Sequence, residues 1–546
     1  MSPLFIALIT ASICWVAWRA TRTLFVQSPL DNIPGPESPS YLRGNLRQFY
    51  DRHGWDFLDR LGTRYNSVVR ITGILGHRIL YVFDPLALQQ ITLREMESYE
   101  KPEWNVDAIH MTLGPGLFGV QGETHRKQRK MLNPVFSVNH MRAMTPLFYT
   151  VAHKLCAGIE TQLADEKAAT VNMLDWLGRT ALELMGQGGL GCSLDNLERP
   201  VPNAFGDAIR ELLPAVSDFS ELQFLFKYVK RLGPAWLRNA VADIVPLSKI
   251  NHLRRVALKI ESESTKILAD KIALLGSGDD NAVHQVGEGK DIMSILLRAN
   301  MSASPAESLS EEELIAQMST LVAAGTDSTS GALCAMLDMF AHNPDVQDKL
   351  RAELAEAQER YGEDIPHDEL VALPYMDAFC RETMRIYPPV SFMVREAKRD
   401  ITMPVAKPVI GLDGTPMNEI PVPAGTTIFI GIRSGNLSKD IWGEDALEFK
   451  PERWLSSLPP TVTEAHIPGV YSNLMTFHGG GRSCIGFKFS QLEMKVVLSV
   501  LIPKFRVSLA QETKEVVWNL SGLRYPTVGR ESTKPAFPVR MECITS

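Results

Sequence analysis

Apolar and polar residues alternate along most of the chain with the spacing of amphipathic helices. This pattern predicts helices over residues 147–163 and 310–342. Ser310 and Glu313 form a capping box at the start of the second helix, and Asn343-Pro344 ends it. At 1.5 Å a residue, a helix of about 30 residues is about 45 Å long and crosses the whole molecule.

Shorter helices and a few strands complete the pattern. Helices are predicted over residues 375–386, before Pro388-Pro389, and from Phe487 onward. The alternation that is typical of strands is limited to short stretches. Residues 67–83 predict a hairpin that turns at two glycines, and residues 426–432 predict one more strand.

Two stretches that are rich in glycine predict loops, and the second of them is not a domain linker. Residues 99–120 predict a long irregular loop, and the polar residues 276–290 predict an exposed one. The chain has 546 residues, of which 45% are hydrophobic, and length alone would allow three or four domains. Since no Gly/Ser/Pro linker and no repeat of fixed period separates two cores, the pattern favours one large body.

Charge and cysteine usage narrow the class of protein. The net charge of −7 argues against nucleic acid as a partner. The seven cysteines are scattered and odd in number, and they lack the paired spacing of metal sites. We therefore expect a reducing compartment and no disulfide framework.

The amino terminus predicts a membrane anchor. Residues 3–18 are almost wholly apolar, and Arg19 and Arg22 follow them. A secretory signal would carry its positive charge before the apolar run and a cleavage site after it. Because the charges come second here, the positive-inside rule leaves the body of the protein in the cytosol. A span of about 18 residues reaches across a thin endoplasmic-reticulum bilayer, and the alternative is an N-terminal core helix.

The stretch that most strongly indicates a functional site is residues 477–486, which read FHGGGRSCIG. It presents the thiol of Cys484 in a glycine-rich loop that leads into the helix predicted from Phe487. Unpaired N–H groups and the positive end of the dipole at a helix start favour a thiolate, the form that binds metal. The glycines allow the backbone to pass close to a large flat ligand. A phosphate-binding loop is the alternative, but no Lys-Ser or Lys-Thr follows the glycines.

These residues match the pattern F-x-x-G-x-R-x-C-x-G and resemble the haem loop of the cytochrome P-450 family, the haem-thiolate monooxygenases. The resemblance implies that Cys484 is the axial ligand of haem b and the only protein ligand to its iron. It also places Phe477, Arg482 and Gly486 around the haem.

Three further motifs stand in the family's order, so the resemblance covers nearly the whole chain. It implies the mainly α-helical cytochrome P-450 fold with small β-sheets, plus an N-terminal transmembrane helix. The implied divisions are a membrane anchor at residues 1–22, a proline-rich hinge at 23–40 and a catalytic domain at 41–546. In the family, the stretch at residues 99–120 covers the substrate pocket.

The first of these motifs lies in a basic run. The family shows Trp-x-x-x-Arg there, and both residues contact a haem propionate; this chain has His125 in the Trp position and keeps Arg129. Residues four apart share a helix face, and a histidine can donate to a carboxylate as an indole does. The resemblance implies two more propionate-binding arginines, Arg395 and Arg482.

The second motif is in the middle of the long helix. In the family, small residues matching Ala324 and Gly325 leave room for dioxygen, and an acid–alcohol pair passes protons to the bound oxygen. Asp327 matches the acid, and Ser328 stands where threonine is usual, with Thr329 next as an alternative. A helix kinked for packing is the other interpretation.

The third motif is Glu382 and Arg385, one turn apart on the helix predicted over residues 375–386. Such a pair on a surface contributes little to stability. The resemblance implies that Arg453 joins both residues in a buried network behind the haem loop. A network of this kind specifies structure more than it stabilises it.

The activity implied by the resemblance is insertion of one oxygen atom from dioxygen into a lipophilic small molecule. Electrons would come from NADPH through NADPH–cytochrome P-450 reductase, which we expect to dock on Arg126, Lys130 and Lys488. The expected location is the endoplasmic-reticulum membrane, single-pass, with the catalytic domain in the cytosol. The chain resembles eukaryotic members of the fungal type, and the substrates considered are lipophilic molecules such as terpenoids, steroids, fatty acids and other secondary metabolites.

Two other functions are compatible with the motifs. A haem-thiolate isomerase or lyase would rearrange a peroxide without a reductase, but that chemistry needs no proton relay such as Asp327 with Ser328. A non-catalytic haem-binding sensor would need neither a full pocket loop nor a basic docking face. Turnover that depends on NADPH and reductase distinguishes the three.

Overall fold

The computed structural model describes part of the chain. The described residues are Thr10, Cys14, Trp18, 21–163, 167–198, 203–219, 225–244, 248–276, 289–512 and 514–544. Within these residues, no helix combines the length and the apolar character needed to cross a membrane. Most of the predicted anchor at residues 1–22, and most of the loop predicted at 276–290, lie outside the described residues.

Helices dominate the described chain, as the hydrophobic pattern predicts. In chain order they are α1 (Leu46–Phe49), α2 (Trp55–Arg64), α3 (Pro85–Gln89), α4 (Glu103–Leu113), α5 (Gly122–Leu132), α6 (Val138–Leu163), α7 (Met173–Leu184), α8 (Ala204–Ser217), α9 (Phe226–Arg231), α10 (Ala235–Ile244), α11 (Ser248–Gly276), α12 (Ile292–Ser302), α13 (Glu311–His342), α14 (Pro344–Tyr361), α15 (His367–Ala372), α16 (Pro374–Ile386), α17 (Ile432–Asn436), α18 (Lys439–Trp442), α19 (Pro460–Thr463) and α20 (Phe487–Lys504).

The strands are short. They are β1 (Val68–Thr72), β2 (Arg78–Val82), β3 (Tyr99–Glu100), β4 (Ala168–Asn172), β5 (Phe392–Ala397), β6 (Ile401–Ile410), β7 (Pro416–Val422), β8 (Thr427–Gly431), β9 (Gly469–Tyr471), β10 (Leu474–Gly479), β11 (Phe505–Leu509), β12 (Val516–Asn519), β13 (Tyr525–Val528) and β14 (Pro538–Cys543). Many helices with small sheets are consistent with the predicted fold class.

The chain divides into two compact units, each assembled from separate segments. The sheet unit comprises Met1–Pro102, Phe392–Ala446 and Pro460–Arg482. The helical unit comprises Glu103–Ser391, Leu447–Pro459 and Ser483–Ser546.

The largest sheet of the sheet unit has five strands in the order β1-β2-β8-β5-β3. The β2–β8 pair is parallel and the other neighbouring pairs are antiparallel. The ring of Phe49 stacks on Phe429 with centroids 4.5 Å apart and meets Phe392 edge-on at the same distance. These aromatic contacts hold α1 against β5 and β8. The hairpin predicted over residues 67–83 is confirmed by the antiparallel pairing of β1 with β2.

The helical unit is organised around α13. This helix packs against α7, α11 and α20, and α20 packs against α6. β4, β11 and β14 form an antiparallel sheet in the order β11-β14-β4. The predicted capping box is confirmed, because Glu313 N–H donates to Ser310 Oγ at 3.2 Å and Ser310 N–H donates to Glu313 Oε2 at 2.9 Å.

The prediction of an irregular loop over residues 99–120 is wrong for most of its length. Tyr99–Glu100 pairs with β5 as β3, and α4 occupies Glu103–Leu113. Pro102 directly precedes that helix, at an end where a missing N–H costs no helical hydrogen bond. The glycines follow the helix, so the irregular residues are 101–102 and the segment 114–121.

The helix predicted over residues 147–163 begins earlier, at Val138, and runs through Pro146. Proline removes one helical hydrogen bond, which favours a start after it. Met141, Met144 and Phe148 are all buried on this helix. Burial of these large apolar side chains stabilises the helix on both sides of the proline.

Candidate functional site

The motif at residues 477–486 forms a strand, a tight turn and the start of a helix. β10 ends at Gly479, the turn covers Gly480–Arg482, and α20 begins directly after Gly486. Gly480 has a φ of +66°, and a Cβ there would overlap the carbonyl oxygen of Thr92. Glycine is therefore required at this position by both conformation and space.

Cys484 lies two residues before the helix-preceding glycine, and its side chain is exposed. Of the other cysteines after the amino-terminal segment, those at 156, 334 and 380 are buried, and those at 192 and 543 are partly exposed. Although the Cys484 side chain is accessible, the protein atoms around it displace part of its water and raise the pKa of the thiol, while the Gly486 N–H and the charge of Arg129 lower it. The N–H at the helix start thus acts on the sulfur in the predicted direction, although the net shift of its pKa is upward.

Arg129 is hydrogen-bonded to Ser483, the residue before Cys484. Its guanidinium donates to the carbonyl oxygen of Ser483 at 2.6 Å and to Ser483 Oγ at 3.0 Å. His125, one turn earlier on α5, is buried with 6% of its surface exposed. The predicted His125–Arg129 face of α5 is thus turned inward, in contrast to a solvated basic helix.

A buried cluster of basic side chains lies in the sheet unit. Arg482 donates to Glu100 Oε2 at 3.0 Å, and Arg395 donates to His478 Nε2 at 2.6 Å. Burial, Arg395 and Arg482 together lower the pKa of Lys101 to about 7, against the opposing effect of Glu100. Burial and Arg482 also lower the pKa of Arg395 to about 10. Repulsion between buried cations is relieved when an anion binds among them.

His478 adds a donor to this cluster. Its Nε2 accepts from Arg395, so the ring proton is on Nδ1, and that buried atom has no hydrogen-bond partner among the described residues. Burial, Arg395 and Lys101 hold the pKa of His478 well below its usual value, so the ring is neutral. A carboxylate would accept from Nδ1 and offset the nearby positive charge. The cluster therefore fits the carboxylates of haem.

Lys101 and His478 were not predicted as site residues. His478 occupies a variable position of the haem-loop pattern, so the motif carries no signal for it. Lys101 lies in the stretch that was predicted to be an irregular loop, and its neighbours in the cluster are distant in sequence.

The middle of α13 has an accessible side and a buried side. Ala324 is exposed, and the Ser328 hydroxyl donates to the carbonyl oxygen of Ala324 at 2.7 Å. Thr329 is buried and its hydroxyl lies 3.1 Å from that of Ser490 on α20. A Cβ on Gly325 would lie 2.5 Å from Met185 Sδ, so a larger residue there would require the Met185 side chain to move.

Asp327 titrates near neutrality. Burial raises its pKa to about 7, and the charge of Arg210 on α8 opposes the increase. Arg210 is itself paired with Asp207 at 2.9 Å and lies 3.8 Å from Asp175. A carboxyl group with a pKa near the working pH is suited to both giving and taking a proton.

Glu382, Arg385 and Arg453 form a buried network in the helical unit. Arg385 donates to both carboxylate oxygens of Glu382 at 2.8 Å, and neither side chain is exposed. Arg453 Nε lies 3.4 Å from Glu382 Oε1, and Trp454 Nε1 donates to Oε2 at 2.9 Å. These bonds hold the segment Leu447–Pro459 against α16.

The basic residues predicted to meet a reductase are partly neutralised. Arg126 pairs with Glu123 on the same helix, and Lys130 pairs with Glu307 at 2.7 Å. Lys488 lies 5.7 Å from the ring centre of Phe487. The docking face remains a prediction, with less net positive charge than its cations alone suggest.

Comparison with known proteins identifies the family. The family model described as Cytochrome P450 matches residues 34–523. Cytochrome P450 monooxygenase 91 of Postia placenta is 47% identical over 532 residues, which is 97% of either chain. The ganoderic acid synthetase of Ganoderma lucidum is 42% identical over 538 residues, 98% of either chain. A cytochrome P450 monooxygenase of Hericium erinaceus is 33% identical over 526 residues, 95% of either chain.

The chain therefore belongs to the cytochrome P450 family and is a cytochrome P450 monooxygenase. Its cofactor is haem with an axial cysteine thiolate, as throughout the family. The predicted family and cofactor are confirmed, and the relatives named above are all fungal. Members of the family generally need a redox partner and act on lipophilic substrates.

Replacing Asp327 with asparagine tests its titration. The folded-state pKa of about 7 lies above the ordinary 3.8, so the stability from this group is complete below about pH 4 and is lost as pH rises through about 7. We expect the thermal midpoint of Asp327→Asn, relative to the parent, to be a few degrees higher at pH 8 than at pH 5. Asp175→Asn, which removes an exposed acid near the same Arg210, is the control. A difference that stays constant with pH for Asp327→Asn contradicts the assignment.

Proposed function

We propose that this protein is a membrane-tethered monooxygenase of the endoplasmic reticulum. It inserts one oxygen atom from dioxygen into a lipophilic small molecule and takes electrons from NADPH through NADPH–cytochrome P450 reductase. The exposed thiol of Cys484, beside the Gly486 N–H and Arg129, is the observation that carries the proposal. Cys484 is the axial ligand of the haem iron, held at the start of α20.

Basic side chains hold the cofactor by its carboxylates. In the sheet unit, Lys101, Arg395, His478 and Arg482 supply the donors and the positive charge. In the helical unit, Arg129 supports the loop through Ser483. Bound haem supplies the activation of dioxygen, which donation from a thiolate favours.

Ser328 and Asp327 carry the proton path. Ser328 is on the accessible side of α13, where its hydroxyl reaches the Ala324 carbonyl and rotates to reach other partners. Asp327 exchanges protons near neutral pH and passes them to that hydroxyl by way of water. Thr329 is the weaker candidate because it is buried against Ser490.

The substrate class is supported by the apolar anchor and by one relative. The Ganoderma lucidum relative is named for making ganoderic acid, so precursors of such compounds are the first substrates to test. Terpenoids and steroids have the low polarity that a membrane-tethered enzyme encounters. Product profiles with reductase and NADPH distinguish this function from a peroxide isomerase, which turns over without either, and from a sensor, which forms no product.

Removal of the Cys484 thiol tests the axial ligand. We expect Cys484→Ala to lose the thiolate-type absorbance of the reduced carbon-monoxide complex, together with all activity, because the variant lacks the proposed thiolate ligand. Cys192→Ser is the matched control, since Cys192 is partly accessible and lies on another segment. Retention of the spectrum and activity by Cys484→Ala would falsify the proposal.

The two hydroxyls are distinguished by product formed per NADPH consumed. We expect Ser328→Ala to bind haem normally and to release reduced oxygen as peroxide, because the proton donor is lost. Thr329→Ala loses only the contact with Ser490, so its coupling should stay near that of the parent. Full coupling in Ser328→Ala with lost coupling in Thr329→Ala assigns the relay to Thr329 instead.

Deletion of residues 1–22 tests the tether. We expect the truncated protein to bind haem and to leave the membrane fraction, since the anchor contributes burial in lipid and no site residue. The full-length chain processed alongside is the control. A cleaved, secreted mature chain in cells contradicts the proposed topology.

A further inference from the structure

The irregular segment between α4 and α5 is held against α13 by side chains of both neighbouring helices. This segment, residues 114–121, contains three glycines and one proline, and it has no regular structure. Its conformation therefore depends on contacts with other parts of the chain. None of the residues assigned to the haem takes part in these contacts.

Two buried glutamines supply the polar part of this attachment. Gln317 on α13 accepts the N–H of Leu117 at 3.1 Å and donates to Gln128 Oε1 at 2.8 Å. Gln128 on α5 donates to the Pro115 carbonyl at 2.8 Å and to Glu313 Oε1 at 2.9 Å. Neither glutamine has any exposed surface. The segment is thus bonded at two backbone groups, one by each helix.

Close packing reinforces these bonds. A Cβ on Gly116 would lie 2.5 Å from both the Ala316 carbonyl oxygen and Thr320 Oγ1. The backbone of the segment therefore rests directly on one turn of α13, with no space for a larger residue. Buried side-chain amides whose hydrogen bonds are all made in this way favour a single arrangement. A buried donor or acceptor without a hydrogen bond would destabilise the folded protein.

The contact surface on α13 continues into the proposed oxygen-binding face. Residues seven apart on a helix are two turns apart on the same side, so Gln317 and Ala324 share a face about 10 Å apart. Thr320 lies between them. The segment therefore covers the part of this face that precedes the exposed Ala324.

We propose that Gln128 and Gln317 form an amide latch that positions residues 114–121 and controls how ligands reach the Ala324 face of α13. Both are positioning residues, since they act through the segment. Moving residues 114–121 away from α13 requires the hydrogen bonds to Leu117 and Pro115 to break together, because Gln128 and Gln317 are hydrogen-bonded to each other. The latch also joins α5, which carries Arg129, to α13. The part of the inference that concerns ligand access rests on the proposed role of the Ala324 face.

Hydrogen exchange of the Leu117 amide tests the latch without reference to catalysis. In the holoenzyme, we expect Gln317→Ala to raise the exchange rate of this amide about tenfold, because its acceptor is lost. Gln347→Ala is the matched control: Gln347 is equally buried, and its amide bonds Val507 on β11. Exchange at Leu117 that is the same in Gln317→Ala and Gln347→Ala overturns the latch.

Ligand access is measured with 4-phenylimidazole, a nitrogenous probe whose binding to haem changes the absorbance. We expect its association rate constant to rise several-fold in Gln317→Ala and Gln128→Ala, and to be unchanged in Gln347→Ala. In the double variant the increases should not multiply, because both substitutions break the same unit. An unchanged association rate with faster Leu117 exchange overturns the access role, and multiplicative effects overturn the coupling of the two glutamines.

Gln317→Glu covers the case in which the alanine variant does not fold. Glutamate keeps the size and the acceptor for Leu117 N–H but, when ionised, cannot donate to Gln128. We expect Leu117 to remain protected and the exchange of residues around Pro115 to rise. Loss of the thiolate-type spectrum in Cys484→Ala and failure of the latch are separate results, since Leu117 exchange is independent of the iron ligand.

Discussion

Compensation of buried charge governs both the framework and the site of this protein. Burying a carboxylate or a guanidinium is expensive unless hydrogen bonds and an opposite charge replace water. The buried charge of Glu382 is compensated, because Arg385 donates two hydrogen bonds to its carboxylate and Arg453 and Trp454 donate one each. This network ties a separate chain segment to α16. Its removal would leave an isolated buried charge, so the segment has one stable position.

In the basic cluster of the sheet unit, Glu100 pairs with Arg482, and the buried cations outnumber this carboxylate. Lys101 has its pKa lowered to about 7 by burial and by its cationic neighbours, and the His478 ring presents a buried donor that no described residue satisfies. A folded chain that keeps such groups buried is arranged for an anionic ligand. The same physical principle that makes the Glu382 network structural is the basis for the proposed role of the Lys101 cluster in binding the haem carboxylates.

The first turns and the middle of α13 carry residues with different roles. Its first turns carry the capping box and Gln317, which holds the segment over it. Its middle carries Ser328 on the accessible side, Thr329 on the buried side and Asp327 with a pKa near neutrality. Gly325 packs against Met185, whose side chain would have to move to accept a Cβ at this position. A long, well-packed helix keeps these groups at fixed spacing.

The amino-acid sequence by itself determined the features that depend on neighbours along the chain. Periodicity and caps predicted α13, α16, α20 and the β1–β2 hairpin, and the order of short motifs identified the family, because those signals lie within a few residues of each other. Only the tertiary structure decided where packing overrides local preference, as it does at Pro146 inside α6 and at α4 within the expected loop. It also decided which distant residues meet. Lys101 and His478 join Arg395, and Gln128 meets Gln317, through contacts between segments that no local pattern encodes.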